Sequence, residues 1–395
     1  MASATDAPRT GEKIIETCRL STSHVKLGVP LPGSVYDEHG MMLLSKGQIL
    51  ESQTQLDALL ARGMYVELSV FETHYRNASA AAAPSPAERK FDPFLVRDTL
   101  KISLNRLLRA VIDGSAQVEQ IVEFADHARD FAETDAEAAI ASSLLDRHEE
   151  MHAVGHCLST AILGALLVKR LDWLEERRRS IVCAALTMNL GMFDLQQRLQ
   201  RQASPLTPPQ QAQIDGHPDV ACEALKKIGV TDAIWLDAVA QHHEMPGGKG
   251  YPHHVGTPAE EAQLLRLMDT FFARASIRAD RHPLPPAQII RALFVEDGQG
   301  PYGTLVASLV KFLGLYPPGS FIKLANGETG VVFRAGENTN TPIVASVTTA
   351  SGIPLMQPVR RDTSREAFAV SAPVAPDKVS VGYDLGKLWV TNVKT

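Results

Sequence analysis

His242-His243-Glu244-Met245-Pro246-Gly247-Gly248-Lys249-Gly250-Tyr251-Pro252 concentrates more chemistry than any other stretch of this chain. Imidazole nitrogen is a common metal ligand, and two adjacent histidines can serve one site where the backbone turns beside them. The glycines that follow leave few side chains to hold a ligand away from the backbone. A histidine cluster beside a glycine-rich loop points to metal-assisted phosphate chemistry. The competing reading is a surface loop that happens to carry histidines. It weakens once other ligand-type residues upstream and downstream are considered.

Working outward, His156 lies in an apolar run with Val154, Leu158, Ile162 and Leu166 at helical spacing. His217 falls in Asp215-Gly216-His217-Pro218-Asp219, early in another helix, and Asp269 sits inside Leu264-Leu265-Arg266-Leu267-Met268-Asp269. A lone histidine on an apolar helix is more often a satisfied core residue than a ligand. An aspartate inside an apolar stripe is harder to dismiss, because a buried carboxylate needs a cation, a metal or hydrogen-bond donors. His152 competes with His156 for the same role; the spacing to Leu171 favours His156 and leaves His152 facing solvent. His253 and His254 read as surface loop residues.

The order His156, His217, His242-His243-Glu244 with Gly248, Gly250, Tyr251 and Pro252, then Asp269, resembles the HD-GYP family over about residues 145–315. These are HD-domain metal-dependent phosphohydrolases that act on cyclic di-GMP. The resemblance implies metal ligands at His156, His217, His242, His243 and Asp269, and a ligand- or partner-facing loop at Glu244, Gly248, Gly250, Tyr251 and Pro252. The family's His-Asp-x-Gly-Lys segment corresponds to Met188-Asn189-Leu190-Gly191-Met192. Its glycine remains, but Met188, Asn189 and Met192 replace the His, the Asp that bridges two metals, and the Lys. Gln263 stands where many members have Arg. A neutral amide cannot balance a dication as a carboxylate does, and a thioether suits a soft metal rather than iron, manganese or zinc in an oxygen/nitrogen site.

The expectation is therefore an HD-GYP-type cyclic di-GMP signalling protein that binds ligand or partner without hydrolysis, with no intact catalytic set. The alternative is an active or weakly active phosphodiesterase that uses the remaining His and Asp ligands; a third reading is a structural helical scaffold. The cofactor is expected to be none or one transition metal (Fe, Mn or Zn). The partners considered are cyclic di-GMP, a GGDEF-domain or other signalling protein, and a second copy in a homodimer.

The frame around this site is mainly α. An HD-type helical bundle over 93–316 is expected between a small α+β module at 22–75 and a β-rich segment at 317–395, with a loose N-terminus at 1–21 and an Ala/Pro/Ser-rich linker at 76–92. Separate apolar helices are expected over Ser142–Leu171, Ser180–Met192, Ala259–Arg278 and Pro285–Phe294. Another opens at Pro208 with Thr207 as N-cap. Phe321–Leu324, Asn326-Gly327 and Thr329–Phe333 form a hairpin signal.

Bulk properties set the outer limits. Of the 395 residues 45% are hydrophobic and 21% charged, and the net charge of −6 gives no global field for nucleic acid or an anionic membrane. Cys18, Cys157, Cys183 and Cys222 form no CxxC pair or disulfide framework, which fits a reducing cytoplasm. No membrane span is expected, since no apolar run of about eighteen residues stands out.

Overall fold

In the computed structural model the described residues are 17–20, 24–25, 27–37, 40–52, 55–56, 59, 63–75, 90–146 and 151–392. Most of the stretches expected to be loose, 1–21 and 76–92, lie outside them. The chain divides into a small unit, 1–90 with 392–395, and a large one, 91–391.

The small unit carries an antiparallel sheet of β1 (Thr17–Arg19), β2 (Val35–Tyr36), β3 (Met42–Leu44) and β4 (Tyr65–Glu67) in the order β1-β4-β2-β3. Its core is Leu20, Val25, Leu31, Val35, Leu50, Leu56, Met64 and Val66.

The large unit is mainly helical. Helix α1 (Pro93–Asp113) begins with proline in its first turn, where the missing N–H is not needed, and Asp92 accepts from the amides of Phe94 and Leu95. Gly114 closes it in the left-handed region, φ 84°. Helices α2 (Val118–Thr134) and α3 (Ala136–Leu144) follow, then α4 (His152–Arg170) and α5 (Glu175–Thr187). Helix α6 (Phe193–Leu199) leads to α7 (Pro208–Lys227), which opens on a reciprocal cap between Thr207 and Gln210. Helices α8 (Ala233–Gln241), α9 (Glu260–Ala275), α10 (Pro286–Asp297) and α11 (Gly303–Leu313) complete the bundle.

Helix α4 is the axis of this core: Ala153 through Val168 is buried without interruption, packed by α2, α5 and α9. It corrects the expectation that nothing is apolar enough to span a bilayer. By length and composition α4 is, yet 89% of that window is buried inside the unit, the mark of a core helix. Two further expectations change. The single helix expected over Ser142–Leu171 is broken, because α3 ends at Leu144 and Asp146 turns toward the buried Arg97 and Lys101. The helix expected to run to Met192 ends at Thr187, followed by a 3-10 turn at Leu190–Met192. That turn brings Gly191 so close to the His217 backbone that a Cβ there would collide with the His217 carbonyl oxygen.

The C-terminal strands β5 (Phe321–Leu324), β6 (Thr329–Arg334), β7 (Ile343–Thr348), β8 (Pro354–Asp362) and β9 (Val370–Val374) form one antiparallel sheet in the order β9-β5-β6-β7-β8. Gly327, φ 86°, makes the β5–β6 turn. One face of the sheet (Phe321, Val331, Phe333, Ala345, Val347) packs with Trp389 and with Ala138 and Ala141 of α3.

Candidate metal centre

Four helices bring the site together. His156 comes from α4, His217 from α7, the His242-His243 pair from the end of α8, and Asp269 from α9. His217, His242 and His243 each offer a ring nitrogen such that all three lie within 4.8 Å of one another. The Nε2 atoms of His217 and His242 are 3.1 Å apart.

The tautomers of these two rings follow from the backbone. Pro218 has no N–H, so the carbonyl of Ile214, four residues earlier, lacks its helical donor. His217 supplies it, with Nδ1 at 2.5 Å from that oxygen. At the end of α8 the Val239 carbonyl belongs to the last turn, where partners are also missing, and His242 Nδ1 donates to it at 2.6 Å. Each Nδ1 therefore carries its ring's proton, and the two Nε2 lone pairs face one another in a buried space. Neither can donate to the other; a cation between them resolves the repulsion. A proton is a poor candidate. Burial, and then the neighbouring His242, push His217 down to about 3. Burial likewise lowers His242 and His243. Three neutral imidazoles converging on one point are a donor set that suits a single transition metal.

His156 and Asp269 form a second feature. His156 Nε2 is 2.6 Å from Asp269 Oδ1, and both residues are buried. Burial alone would raise the Asp269 carboxyl, but the His156 hydrogen bond holds it well below the usual carboxylate range. The pair stands beside the three-histidine cluster, and the Asp269 charge reaches His242 and His243.

Met188 and Asn189 occupy the turn after α5, both buried. The Asn189 side chain is 1% exposed, yet neither its Nδ2 nor its Oδ1 has a hydrogen-bond partner. Its backbone reaches the Cys157 thiol, which also feels the Asp269 charge, so this amide stands beside the His156 turn of α4. Met192 is half-buried.

The Gly-rich loop is fixed from beneath. Glu244 is fully buried and its two oxygens accept from the amides of His253 (2.6 Å) and Val255 (3.0 Å), so it shapes the loop rather than joining the cluster. Gln263 Nε2 donates to the Glu244 carbonyl at 2.8 Å. A Cβ on Gly250 would collide with the His243 carbonyl, which explains glycine there; Gly248 has φ 69°. Tyr251 stacks on His243, ring centroids 4.6 Å apart and planes 17° apart, and Pro252 follows through a cis bond. Burial raises the Tyr251 hydroxyl.

His152, expected to face solvent, is half-buried. Its ring lies 6.4 Å from that of His156, and burial, with the positive fields of His156 and Arg278, pushes it down to about 3. Sequence reasoning also missed Arg97, Lys101 and Asp146. A signal was present: Arg97 and Lys101 precede Leu104, Leu108 and Val111 on the same buried face of α1.

The HD domain family model matches residues 137–303. The cyclic di-GMP phosphodiesterase PA4108 of Pseudomonas aeruginosa is 26% identical over 295 residues, 70% of this chain and 69% of that protein. The chain carries an HD domain and is similar to the HD-GYP proteins. Among solved structures, Bd1817, a HDG"Y"P protein from Bdellovibrio bacteriovorus, shares the fold with a TM-score of 0.52 at 16% identity, over 75% of this chain and 99% of that one. The family assignment fits the helical arrangement that carries the histidines, with the matched region running from α3 to the start of α11.

Proposed function

We propose that this HD-GYP domain is a cyclic di-GMP signalling module that holds at most one transition metal, on His217, His242 and His243, and that binds ligand or a partner without hydrolysing it. The observation that carries this reading is Asn189. At the position where the family resemblance places a metal-bridging carboxylate, this chain has a buried neutral amide with neither polar atom partnered. Two-metal phosphodiester hydrolysis needs negative charge between the ions to hold them and to lower the pKa of the attacking water. Asn189 brings a carbonyl dipole and no charge. Met188 and Met192 add nothing suited to iron, manganese or zinc, or to a phosphate oxygen.

A metal at the three histidines would supply a Lewis acid for one ligand oxygen. The chain's own residues do the rest. Ile214 and Val239 fix the ring orientations, Asp269 keeps His156 in place, and the Glu244-braced loop sets Tyr251 over His243. Such a site can recognise a phosphodiester while lacking the means to cleave it.

The test joins metal content by plasma mass spectrometry, cyclic di-GMP binding by calorimetry, and a hydrolysis assay with added Mn²⁺ or Fe²⁺. The expected result is no more than about one ion per chain, lost in the His242→Ala/His243→Ala variant, with ligand binding or partner capture and no turnover. Steady formation of pGpG or GMP by the unaltered protein would overturn the reading in favour of the weakly active phosphodiesterase.

A further inference from the structure

A cavity of about 180 Å³ lies beside His156. Its wall runs from His152 and His156 on α4 to Gln200 at the end of α6 and Phe272 on α9. Ile277, 36% exposed, brings it to the surface. His156 belongs both to this wall and to the pair with Asp269, so the cavity adjoins the metal centre.

The charges around the cavity are already matched. Asp146 on the wall accepts from Arg97 at 2.6 Å and from Lys101 at 2.9 Å, and Asp269 is held by His156 at 2.6 Å. No Arg or Lys among the described residues lines the space, so an anion has no counter-charge to meet. A cation would approach a carboxylate that Arg97 and Lys101 already neutralise. The space suits a neutral polar ligand.

Gln200 sets what that ligand carries. Its side chain is 7% exposed, and its Oε1 is buried on the cavity with no hydrogen-bond partner. Its backbone is tied on both sides: the N–H donates to the Gln196 carbonyl at 3.3 Å, and the carbonyl accepts from the Ala279 amide at 2.8 Å. A buried acceptor without a donor is costly, so the matching ligand presents an N–H or O–H at this point. Across the cavity His152, kept neutral by burial and by the fields of His156 and Arg278, has one ring N–H to give and one lone pair. Phe272 and Ile277 supply apolar wall. Donors on one edge, an acceptor beside them and a flat apolar body are the features of a guanine base.

We propose that this cavity holds a guanine of the cyclic dinucleotide, with Gln200 Oε1 accepting from its N1–H and 2-amino edge and His152 donating to O6. This rests on the reading of the chain as a cyclic di-GMP module, and it names Gln200 as the residue that selects the base. The phosphodiester is met by the three-histidine cluster, and His156, whose charge is felt at His242, stands between the phosphate end and the base end.

The test compares the full chain with Gln200→Leu and Gln200→Glu. Leucine removes an unpartnered polar group at similar volume, so thermal unfolding should be unchanged or raised, which also shows that the variant is folded. Glutamate keeps an acceptor at the same place. Cyclic di-GMP is titrated by calorimetry. Guanosine and purine riboside, whose base has no N–H at all, are compared by saturation-transfer NMR on chelator-treated protein. Gln200→Leu should weaken cyclic di-GMP roughly tenfold, the scale of one hydrogen bond, while Gln200→Glu holds or tightens it. Guanosine should give a signal that purine riboside does not. Equal losses in both variants would mark a packing effect and overturn the proposal, as would purine riboside binding as well as guanosine. Cyclic di-GMP bound unchanged by both variants, with no guanosine signal, would mean that the cavity holds water only; the pocket would fall and the signalling reading would stand. A guanosine signal lost in Gln200→Leu, without any cyclic di-GMP binding, would keep the guanine pocket and overturn the signalling reading. Absence of both would overturn the two together.

Discussion

At the scale of single residues, the site turns on one atom pair. Asn189 differs from an aspartate by an NH₂ in place of an oxygen, with nearly the same volume, and its amide is buried with no partner. Restoring charge there changes electrostatics with little steric effect. The double change Met188→His/Asn189→Asp should therefore raise bound metal from at most about one ion to about two per chain and bring hydrolysis of cyclic di-GMP above background. Metal content and product formation measured on the same preparation check this. A double variant that still binds one ion or none would show that the cause of the altered site lies elsewhere than at Asn189. Much of this was legible in the sequence, because histidines, aspartate and the Gly-Tyr-Pro loop are chemically distinctive residue types in a fixed order. What the sequence could not show is pairing. His156 and Asp269 are 113 positions apart and meet at 2.6 Å, and Glu244, grouped with the loop as a candidate contact, spends both oxygens on the amides of His253 and Val255. Partner choice for a buried carboxylate depends on which amides the fold leaves without partners, and that information is tertiary.

At the scale of elements, helices with strong caps were read well and those with tertiary endings were not. Thr207 and Pro208 announce α7 because capping is local chemistry. The break between Leu144 and His152 is not local: Asp146 leaves the helix to meet Arg97 and Lys101, whose burial belongs to α1. The β5–β7 region was readable from Asn326-Gly327, yet the ion pair that ties its strands was not. Glu328 accepts from Arg361 on β8 at 2.8 and 2.7 Å and from Ser346 on β7 at 2.6 Å. The Arg361 hydrogen bonds pull the Glu328 carboxyl down to about 2. A depressed folded-state value means the unfolded chain takes up the proton first, so this contribution is present above the ordinary glutamate value and is lost as pH falls from about 4.5 toward 2. The expected outcome is a loss of sheet stability over that window that Glu328→Gln removes. Thermal unfolding followed across pH 5 to about 2.5 compares the two proteins; parallel curves would mean that the pair is screened by solvent and contributes nothing measurable.

At the scale of the large unit, the β-rich segment is docked on the helical bundle at α3. Arg334 on β6 forks onto Asp135 at 2.6 and 2.7 Å and reaches Glu137 at 3.1 Å, so the residues that open α3 are held by the sheet. The same α3 buries Ala138 and Ala141 against Phe321, Val331 and Phe333. Trp389 fills the corner between them. It is fully buried, its indole N–H donates to the Phe333 carbonyl at 3.0 Å, and its ring lies against Phe94 of α1 and Phe333 of β6. Aromatic side chains of this size dominate such junctions, and truncation leaves both a cavity and an unpaired carbonyl. Trp389→Ala should cost about 3–5 kcal/mol in equilibrium denaturant unfolding. The loss should also be local in character. Hydrogen exchange at the amides of Val331 to Phe333 should speed up strongly, while amides in the middle of α4, whose neighbours are α2, α5 and α9, should keep their protection. If instead α4 and the sheet lose protection together, the C-terminal strands are an integral part of the bundle that positions His156, and any change in the sheet would be felt at the metal centre.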